Sequence, residues 1–179
     1  MDQTYTLHVA GLTRELTRYP VSDKIDIAAF IMFSDVELTE KCACGLLEKV
    51  PEFDIILTSE AKGIPLAYEM ARQSRKSYVV ARKSIKVYMS NPVSVEVTSI
   101  TTKGKQNLYL GDEDVAMIKG KNVLIVDDVI STGESVSAME RLVEKACGKV
   151  AGRSAVLVEG DASERDDIIF LEKLPLFFK

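Results

Sequence analysis

From residue 55 onward, short apolar runs rich in β-branched residues alternate with segments that show helical periodicity. The apolar runs occupy residues 55–57, 78–81, 123–126, 150–158 and 168–171. The segments 65–74 and 133–147 predict helices between them. Strands without polar alternation are typical of a parallel sheet that helices cover on both faces. The sequence therefore predicts an α/β fold with a central, mostly parallel sheet flanked by helices.

Residues 1–33 depart from this pattern and predict a small separate layer of irregular strands. Here short apolar stretches alternate with turn material such as Arg18-Tyr19-Pro20. The following Ser34-Asp-Val-Glu37 matches a capping box, which predicts a helix over 35–49 with Ser34 as its N-cap. We expect a single domain over 1–179, with residues 1–33 forming a layer beside the α/β part.

The segment 83–107 is polar and interrupts the alternation of strands and helices. It contains the alternating piece Val93-Ser-Val-Glu-Val97, which favours a hairpin. A polar stretch of this length inside a compact domain is usually a functional hairpin or lid, although a plain exposed hairpin is the alternative. We expect a flexible lid hairpin here.

Charge and hydropathy exclude several classes of protein. The chain has 23 Lys and Arg against 27 Asp and Glu, a net charge of −4, which argues against nucleic acid as a partner held by bulk charge. The longest apolar run, 27–33, is far shorter than the ~20 residues of a membrane span. The first residues are polar and lack the plan of a secretory signal. We therefore expect a cytoplasmic protein with no membrane partner.

The cysteine and histidine content limits metal and hydrolase chemistry. Three cysteines form no disulfide framework, and His8 is the single histidine. A zinc cluster of Cys and His would lack ligands, and a Ser-His-Asp triad is disfavoured. We expect the cysteines to be small buried apolar side chains.

The strongest chemical motif follows the apolar run 123–126. Two adjacent carboxylates, Asp127 and Asp128, come at the end of this strand, and ligands bind outside the carboxyl ends of strands in open α/β sheets. A turn rich in Ser, Thr and Gly then opens a helix, where backbone N–H groups and hydroxyls suit a phosphate. The carboxylates suit neutral hydroxyl groups or a metal. The predicted ligand has a phosphate and vicinal hydroxyls, as ribose 5-phosphate does.

Two simpler interpretations compete with this one. A Ser or Thr after a strand is often only a helix N-cap, but that leaves the aspartate pair unexplained. Paired acids at a strand end could form the acid pocket of a response regulator, but there the pair follows an early strand. The chain contains neither a P-loop nor a G-x-G-x-x-G dinucleotide motif.

All thirteen residues from Val123 to Ser135 resemble the pattern of type I phosphoribosyltransferases, which bind 5-phosphoribosyl 1-pyrophosphate at such an element. The resemblance implies that Asp127 and Asp128 contact the ribose hydroxyls and are the catalytic pair. It also implies Mg²⁺ as cofactor, held mainly through the substrate and with no direct protein ligand assigned. The residues expected to cradle the 5-phosphate are Ser131, Thr132, Gly133, Glu134 and Ser135.

Other segments resemble the same family less specifically. Ala61, Lys62 and Gly63 follow a strand and look like the pyrophosphate-binding loop of adenine phosphoribosyltransferases, although Gly63 alone could simply ease a turn. Arg82, with Lys83 and Lys86, resembles the basic segment that reaches pyrophosphate, often in the partner subunit. A solvated charge cluster is the alternative for that segment. The resemblance implies a homodimer.

The identity of the base stays open at this stage. By resemblance, residues 1–33 form a hood over a purine base, with Ile25 and Ile27 facing it, and the ending of this layer is adenine-type. Ser131 stands where hypoxanthine–guanine enzymes carry an acid, and Thr98–Lys103 lacks the Glu-Tyr element of adenine enzymes and looks more like xanthine enzymes. The favoured function is purine salvage, with adenine converted to AMP. The alternatives are xanthine or another purine as substrate, or a non-catalytic regulator.

Overall fold

A parallel sheet of five strands forms the centre of the computed structural model, which describes residues 3–97 and 106–179. Every paired strand in it runs parallel to its neighbour, in the order β10-β9-β8-β4-β5. The strands are β4 (Ile55–Ser59), β5 (Ser77–Ala81), β8 (Asn122–Ile130), β9 (Lys149–Glu159) and β10 (Ile169–Leu174). The predicted α/β fold with a central parallel sheet is confirmed.

Helices cover both faces of this sheet and bury its apolar side chains. On one face, α1 (Val36–Leu47) and α2 (Ile64–Ser74) pack together with the N-terminal layer. On the other face lie α3 (Asp112–Ile118) and α4 (Glu134–Lys145). A short 3₁₀ helix, Gly160–Glu164, follows β9. Because β4 and most of β8 are buried on both faces, their sequences are almost continuously apolar.

The N-terminal layer, called the hood below, is a small antiparallel sheet. It consists of β1 (Thr4–Val9), β2 (Leu12–Pro20) and β3 (Ile25–Ala28), in that order. The C-terminal strand β11 (Phe177–Phe178) pairs with β3 and completes the sheet. This sheet thus contains three strands from the first 28 residues and one strand from the other end of the chain.

The predicted N-cap of α1 is wrong by one residue. Asp35 caps the helix, with Oδ1 accepting a hydrogen bond from Leu38 N over 3.1 Å, whereas Ser34 has a φ of +67°. Glu37 does not reach back to the helix start, because Arg14 of β2 binds it over 2.9 Å and also binds Asp35 over 2.7 Å. This guanidinium lowers the pKa of Asp35 below its ordinary value. Arg14 thus joins the hood to α1.

Two paired strands begin in the segment 83–107, and the second of them continues to Leu110. They are β6 (Val93–Val97) and β7 (Gln106–Leu110), which pair in antiparallel register, while Thr98–Lys103 lie outside the described residues. One face of the hairpin belongs to the main core, and Lys145 Nζ of α4 donates to Ser94 O over 2.7 Å. The weak core character expected of this segment is therefore wrong for the two strands.

The cysteines are free, and only one of the three fits the expectation of burial. Cys42 is buried in α1, which raises the pKa of its thiol to about 12. Cys44 and Cys147 are exposed. In the described part of the chain, no helix combines the length and the apolar character that crossing a bilayer would take.

Candidate active site

The candidate site lies where β8 separates from β4 at the carboxyl edge of the sheet. Pairing between these strands ends at Leu57 and Ile125, whereas β8 stays paired with β9 as far as Ile130. The separation opens a cleft of about 350 Å³. It is lined by Ser59, Glu60, Ala61, Lys62, Lys83, Val97, Gln106, Leu108, Asp127, Asp128, Val129 and Ser135.

Asp128 lies at the floor of this cleft, with only 3% of its surface exposed. Its Oδ2 lies 2.7 Å from the ammonium nitrogen of Lys62, which is its cationic partner. No other described group donates to this oxygen, so the carboxylate keeps further acceptor capacity. A buried carboxylate is costly unless its charge and its acceptor positions are matched, so a ligand that brings donors is favoured here.

Asp127 precedes it and is held by the backbone. Its Oδ1 accepts a hydrogen bond from Asp128 N over 2.9 Å. Burial raises the pKa of Asp127 well above its ordinary value, and the negative charge of Asp128 raises it further. The two neighbouring carboxylates thus differ: Asp127 is pushed towards its neutral form, while Asp128 has an ammonium group beside it.

Residues 131–135, which are predicted to bind a phosphate and are called the phosphate loop below, lead from β8 into the start of α4. Gly133 has a φ of +79°, a conformation that favours glycine, and the helix starts after it without a side-chain cap. The first N–H groups of a helix have no partner within the helix, so here they remain available. The loop encloses a pocket of about 50 Å³, and no hydrogen bond joins its hydroxyls to another described residue.

The pyrophosphate loop, residues 60–63, lies on the opposite side of the aspartate pair. The Glu60–Ala61 peptide bond is cis, and α2 begins after Gly63 without a side-chain cap. A Cβ atom on Gly63 would lie 2.5 Å from Thr58 Oγ1 and 3.1 Å from Asp127 Oδ1. Glycine is needed here because the loop packs closely, and not for a turn, since its φ is −74°.

The basic segment after β5 lies beside the cleft, and its predicted contact with pyrophosphate stays a prediction. Arg82 forms an ion pair with Glu60 over 2.7 Å and does not line the cleft. Glu60 also accepts a hydrogen bond from Lys83 N over 2.6 Å, and the Lys83 side chain does line the cleft. Lys86 is hydrogen-bonded to Ser84. Glu60 therefore ties the pyrophosphate loop to this segment.

Ile25 and Ile27 occupy alternate positions on β3 of the hood and are half-buried. They alternate with the buried Asp26 and Ala28, and neither isoleucine lines the cleft at the aspartate pair. Their predicted contact with a base stays a prediction.

Sequence reasoning missed a third carboxylate at this edge of the sheet. Glu159 is the last residue of β9, next to β8, and is half-buried. Burial raises its pKa, while the charge of Lys62 lowers it and the charge of Asp128 raises it. Its position after an apolar strand was a signal that could have been used. Within residues 3–97 and 106–179, no three His, Cys, Asp or Glu side chains are grouped so as to hold a metal by themselves.

Comparison with known proteins gives the family. A family model, the phosphoribosyl transferase domain, matches residues 44–173. The adenine phosphoribosyltransferase of Bifidobacterium animalis subsp. lactis is 36% identical over 162 residues, which cover 88% of this chain and 81% of that enzyme. The hypoxanthine/guanine phosphoribosyltransferase of Methanothermococcus okinawensis is 36% identical over 148 residues, 82% of this chain and 73% of that protein.

Two further comparisons concern a repressor and a solved structure. The purine biosynthesis transcriptional repressor PurR of Bacillus subtilis is 36% identical over 110 residues, which are 62% of this chain and only 38% of the repressor. In fold, the chain resembles the adenine phosphoribosyltransferase of Thermoanaerobacter pseudethanolicus with a TM-score of 0.72 at 24% identity, over 88% of this chain and 95% of that one.

The family model and these relatives, together with the matching fold, thus define a phosphoribosyltransferase. The chain belongs to the phosphoribosyl transferase family, in its purine branch, and is a transferase. Because relatives named for adenine and for hypoxanthine and guanine both match it, the comparisons leave the base open.

Proposed function

We propose that the protein transfers the 5-phosphoribosyl group of 5-phosphoribosyl 1-pyrophosphate to adenine, giving AMP and pyrophosphate. The bond between C1 and the pyrophosphate oxygen breaks, and its electron pair leaves with pyrophosphate. A lone pair of the base nitrogen forms the new bond to C1, and that nitrogen loses its proton to solvent. The protein's part in such a step is mainly orientation and neutralisation of charge.

The observation that carries the proposal is the buried carboxylate of Asp128, which lies at the floor of the cleft with Lys62 as its cationic partner. The ribose hydroxyls would occupy its remaining acceptor positions, because a carboxylate accepts hydrogen bonds from vicinal hydroxyl groups. Asp127, next to it, would orient the sugar from the same strand end. In this arrangement the reacting C1 of the sugar would lie above the carboxyl end of β8.

Two helix starts supply the sites for the negative ends of the substrate. Both α2 and α4 begin at a glycine without a side-chain cap, whereas α1 is capped by Asp35. Open helix N-termini favour anions through their free N–H groups and the helix dipole. We assign the 5-phosphate to α4 and the phosphate loop, and the pyrophosphate to α2 and the pyrophosphate loop.

Cationic groups would offset the charge of the leaving pyrophosphate. Lys62 and Lys83 line the cleft beside the pyrophosphate loop, and Arg82 lies behind it on Glu60. Mg²⁺ bound with the substrate would neutralise further charge on the pyrophosphate, with Asp128 as the protein carboxylate available to it. The proposal thus keeps Mg²⁺ as cofactor through the substrate.

Adenine is favoured among the bases by the adenine-type ending of the hood and by relatives such as the Bifidobacterium enzyme. The apolar side chains of Val97, Leu108 and Val129 give the cleft walls against which a planar base could stack. Relatives named for hypoxanthine and guanine favour the alternative, another purine as acceptor. The proposal also includes a homodimer and the cytoplasmic location expected from the sequence.

A panel of bases tests the proposal. The protein is incubated with Mg²⁺, 5-phosphoribosyl 1-pyrophosphate and either adenine, hypoxanthine, guanine, xanthine or a pyrimidine, and released pyrophosphate is measured. The proposal is supported if adenine gives the highest kcat/KM for pyrophosphate release. A higher kcat/KM with another purine would change the assigned base and leave the assigned type of reaction unchanged. Binding of the sugar pyrophosphate without turnover of any base would contradict the enzymatic proposal and favour the regulator.

A further inference from the structure

Arg165 lies against the phosphate loop, on the segment that follows the 3₁₀ helix. A Cβ atom placed on Gly133 would lie 2.5 Å from Nη1 of Arg165, so the guanidinium rests on this glycine. The backbones of the two segments are joined as well, since Ala162 N donates to Ser131 O over 3.2 Å. The arginine and the loop therefore form one packed unit.

A chain of alternating charges fixes the orientation of this guanidinium. Its Nε and Nη2 donate to the two carboxylate oxygens of Asp167 over 2.8 and 2.7 Å. Asp167 in turn lies 3.6 Å from Nε of Arg153, and Arg153 is hydrogen-bonded to Glu140 of α4. The remaining nitrogen, Nη1, makes no hydrogen bond to a described residue and is the one that faces the loop.

The positive charge of Arg165 lies at a position where electrostatics are unfavourable unless an anion is nearby. The start of α4 already carries the positive end of the helix dipole and free N–H groups, so a nearby cation is disfavoured there. Asp167 offsets the charge, but it occupies the edge of the guanidinium formed by Nε and Nη2. A phosphate dianion bound in the loop would be attracted by the helix dipole, by the free N–H groups and by Arg165.

We propose that Arg165 is a positioning residue of the phosphate site, which holds the loop at Gly133 and adds positive charge for a phosphate monoester. The inference rests on the proposed function, which assigns the 5-phosphate to this loop. It attributes to Arg165 recognition of the phosphate alone, and neither of the sugar nor of the base.

Calorimetric titration with AMP and with adenosine separates these contributions. Arg165→Gln removes the charge and keeps much of the volume, and Arg165→Lys keeps the charge. Arg75→Gln is the matched control, because Arg75 is exposed at the end of α2 and lines neither the cleft nor the α1–α2 cavity. Arg165→Gln is expected to raise the Kd of AMP about tenfold, the loss of one charge-assisted interaction. The Kd of adenosine stays unchanged, Arg165→Lys retains most of the affinity for AMP, and Arg75→Gln behaves as the wild type.

Equal AMP affinity in Arg165→Gln and the wild type overturns the inference, and so does an equal loss of affinity for AMP and adenosine. If Arg165→Gln does not fold, Asp167→Asn takes its place, because it keeps the cation and weakens its orientation. An AMP-specific loss in Asp167→Asn then supports the inference, and unchanged affinity for AMP overturns it. A wild type that binds AMP no better than adenosine contradicts the proposed phosphate site itself.

Discussion

The burial and surroundings of Asp128 indicate a functional role more clearly than those of any other single residue discussed above. It is buried at the floor of the cleft, and the side chain of its cationic partner Lys62 is half exposed. Asp128→Asn should lower kcat by about two orders of magnitude, the size of losing one group that stabilises a transition state. The melting temperature should change little, and Glu52→Gln, an exposed change before β4 at the opposite edge, should retain full activity. Steady-state kinetics with thermal melts test this, and normal turnover of Asp128→Asn refutes the assigned role.

Asp127 gives a prediction about stability. Because its pKa in the folded protein is raised, folding favours the protonated form, and stability falls as the pH rises from the ordinary value of 3.8 through the raised pKa. Asp127→Asn should therefore raise the melting temperature at pH 7, because it removes the cost of burying a charged carboxylate, while lowering activity.

The gain in Asp127→Asn should disappear below about pH 4, where the wild-type carboxyl is protonated in both states. Melts of both proteins at pH 3.5 and pH 7 measure the difference. A gain that is the same at both pH values would show that burial of charge is not its cause.

Lys62 gives a prediction about binding of the leaving group. Lys62→Ala should weaken pyrophosphate binding by about tenfold, as expected for a lost charged partner, and weaken AMP binding much less. Titration of each ligand separately measures this, with Lys41→Ala on the exposed side of α1 as the control. Equal losses for AMP and pyrophosphate would argue against a role specific to pyrophosphate.

At the scale of elements, the close packing of the pyrophosphate loop on β4 is testable by a double mutant. Gly63→Ala would place a Cβ atom 2.5 Å from Thr58 Oγ1 and should displace the loop, weakening pyrophosphate binding. Thr58→Ala removes that hydroxyl, which has no hydrogen-bond partner in the described part of the chain, and should restore part of the binding in the double mutant. A double mutant as weak as Gly63→Ala alone would show that the clash is not with Thr58.

The strands and helices were predictable from the sequence, whereas several contacts between them were not. The alternation of apolar runs and helices identified the parallel sheet, because strands buried on both faces have a recognisable composition. The pairing of β11 with β3, the strand order and the burial of the hairpin depend on contacts between distant segments. The predicted N-cap of α1 was wrong for this reason. The residues from Ser34 to Glu37 match a capping box, but Arg14 of the hood forms ion pairs with Asp35 and Glu37.

The candidate site divides in a similar way. Asp127, Asp128 and the phosphate loop are consecutive in the chain, so their arrangement is encoded in one strand, one turn and one helix start. Glu159 and Arg165 reach the same edge of the sheet through a different strand, and no local pattern connects them to β8. A local sequence pattern therefore predicts only those site residues that lie on the same continuous segment of the chain.

For the whole molecule, the proposal of a homodimer can be tested directly. Val36 and Tyr68 expose 78% and 54% of their surfaces beside a cavity of about 430 Å³ between α1 and α2. Exposed apolar groups of this kind are common at subunit contacts. Light scattering should give twice the chain mass of 19.8 kDa, and Tyr68→Glu should shift it towards the monomer. A monomeric wild type at micromolar concentration would contradict the dimer.

The central claim is that the end of β8 and the loop after it bind a phosphorylated ribose. Calorimetric titration with 5-phosphoribosyl 1-pyrophosphate and Mg²⁺, on the wild type and on Asp128→Asn, tests it most directly. The account predicts saturable one-site binding to the wild type and affinity at least tenfold weaker for Asp128→Asn, which loses a charged hydrogen-bond acceptor. Absence of binding to folded wild-type protein, or the same affinity in both proteins, would contradict it.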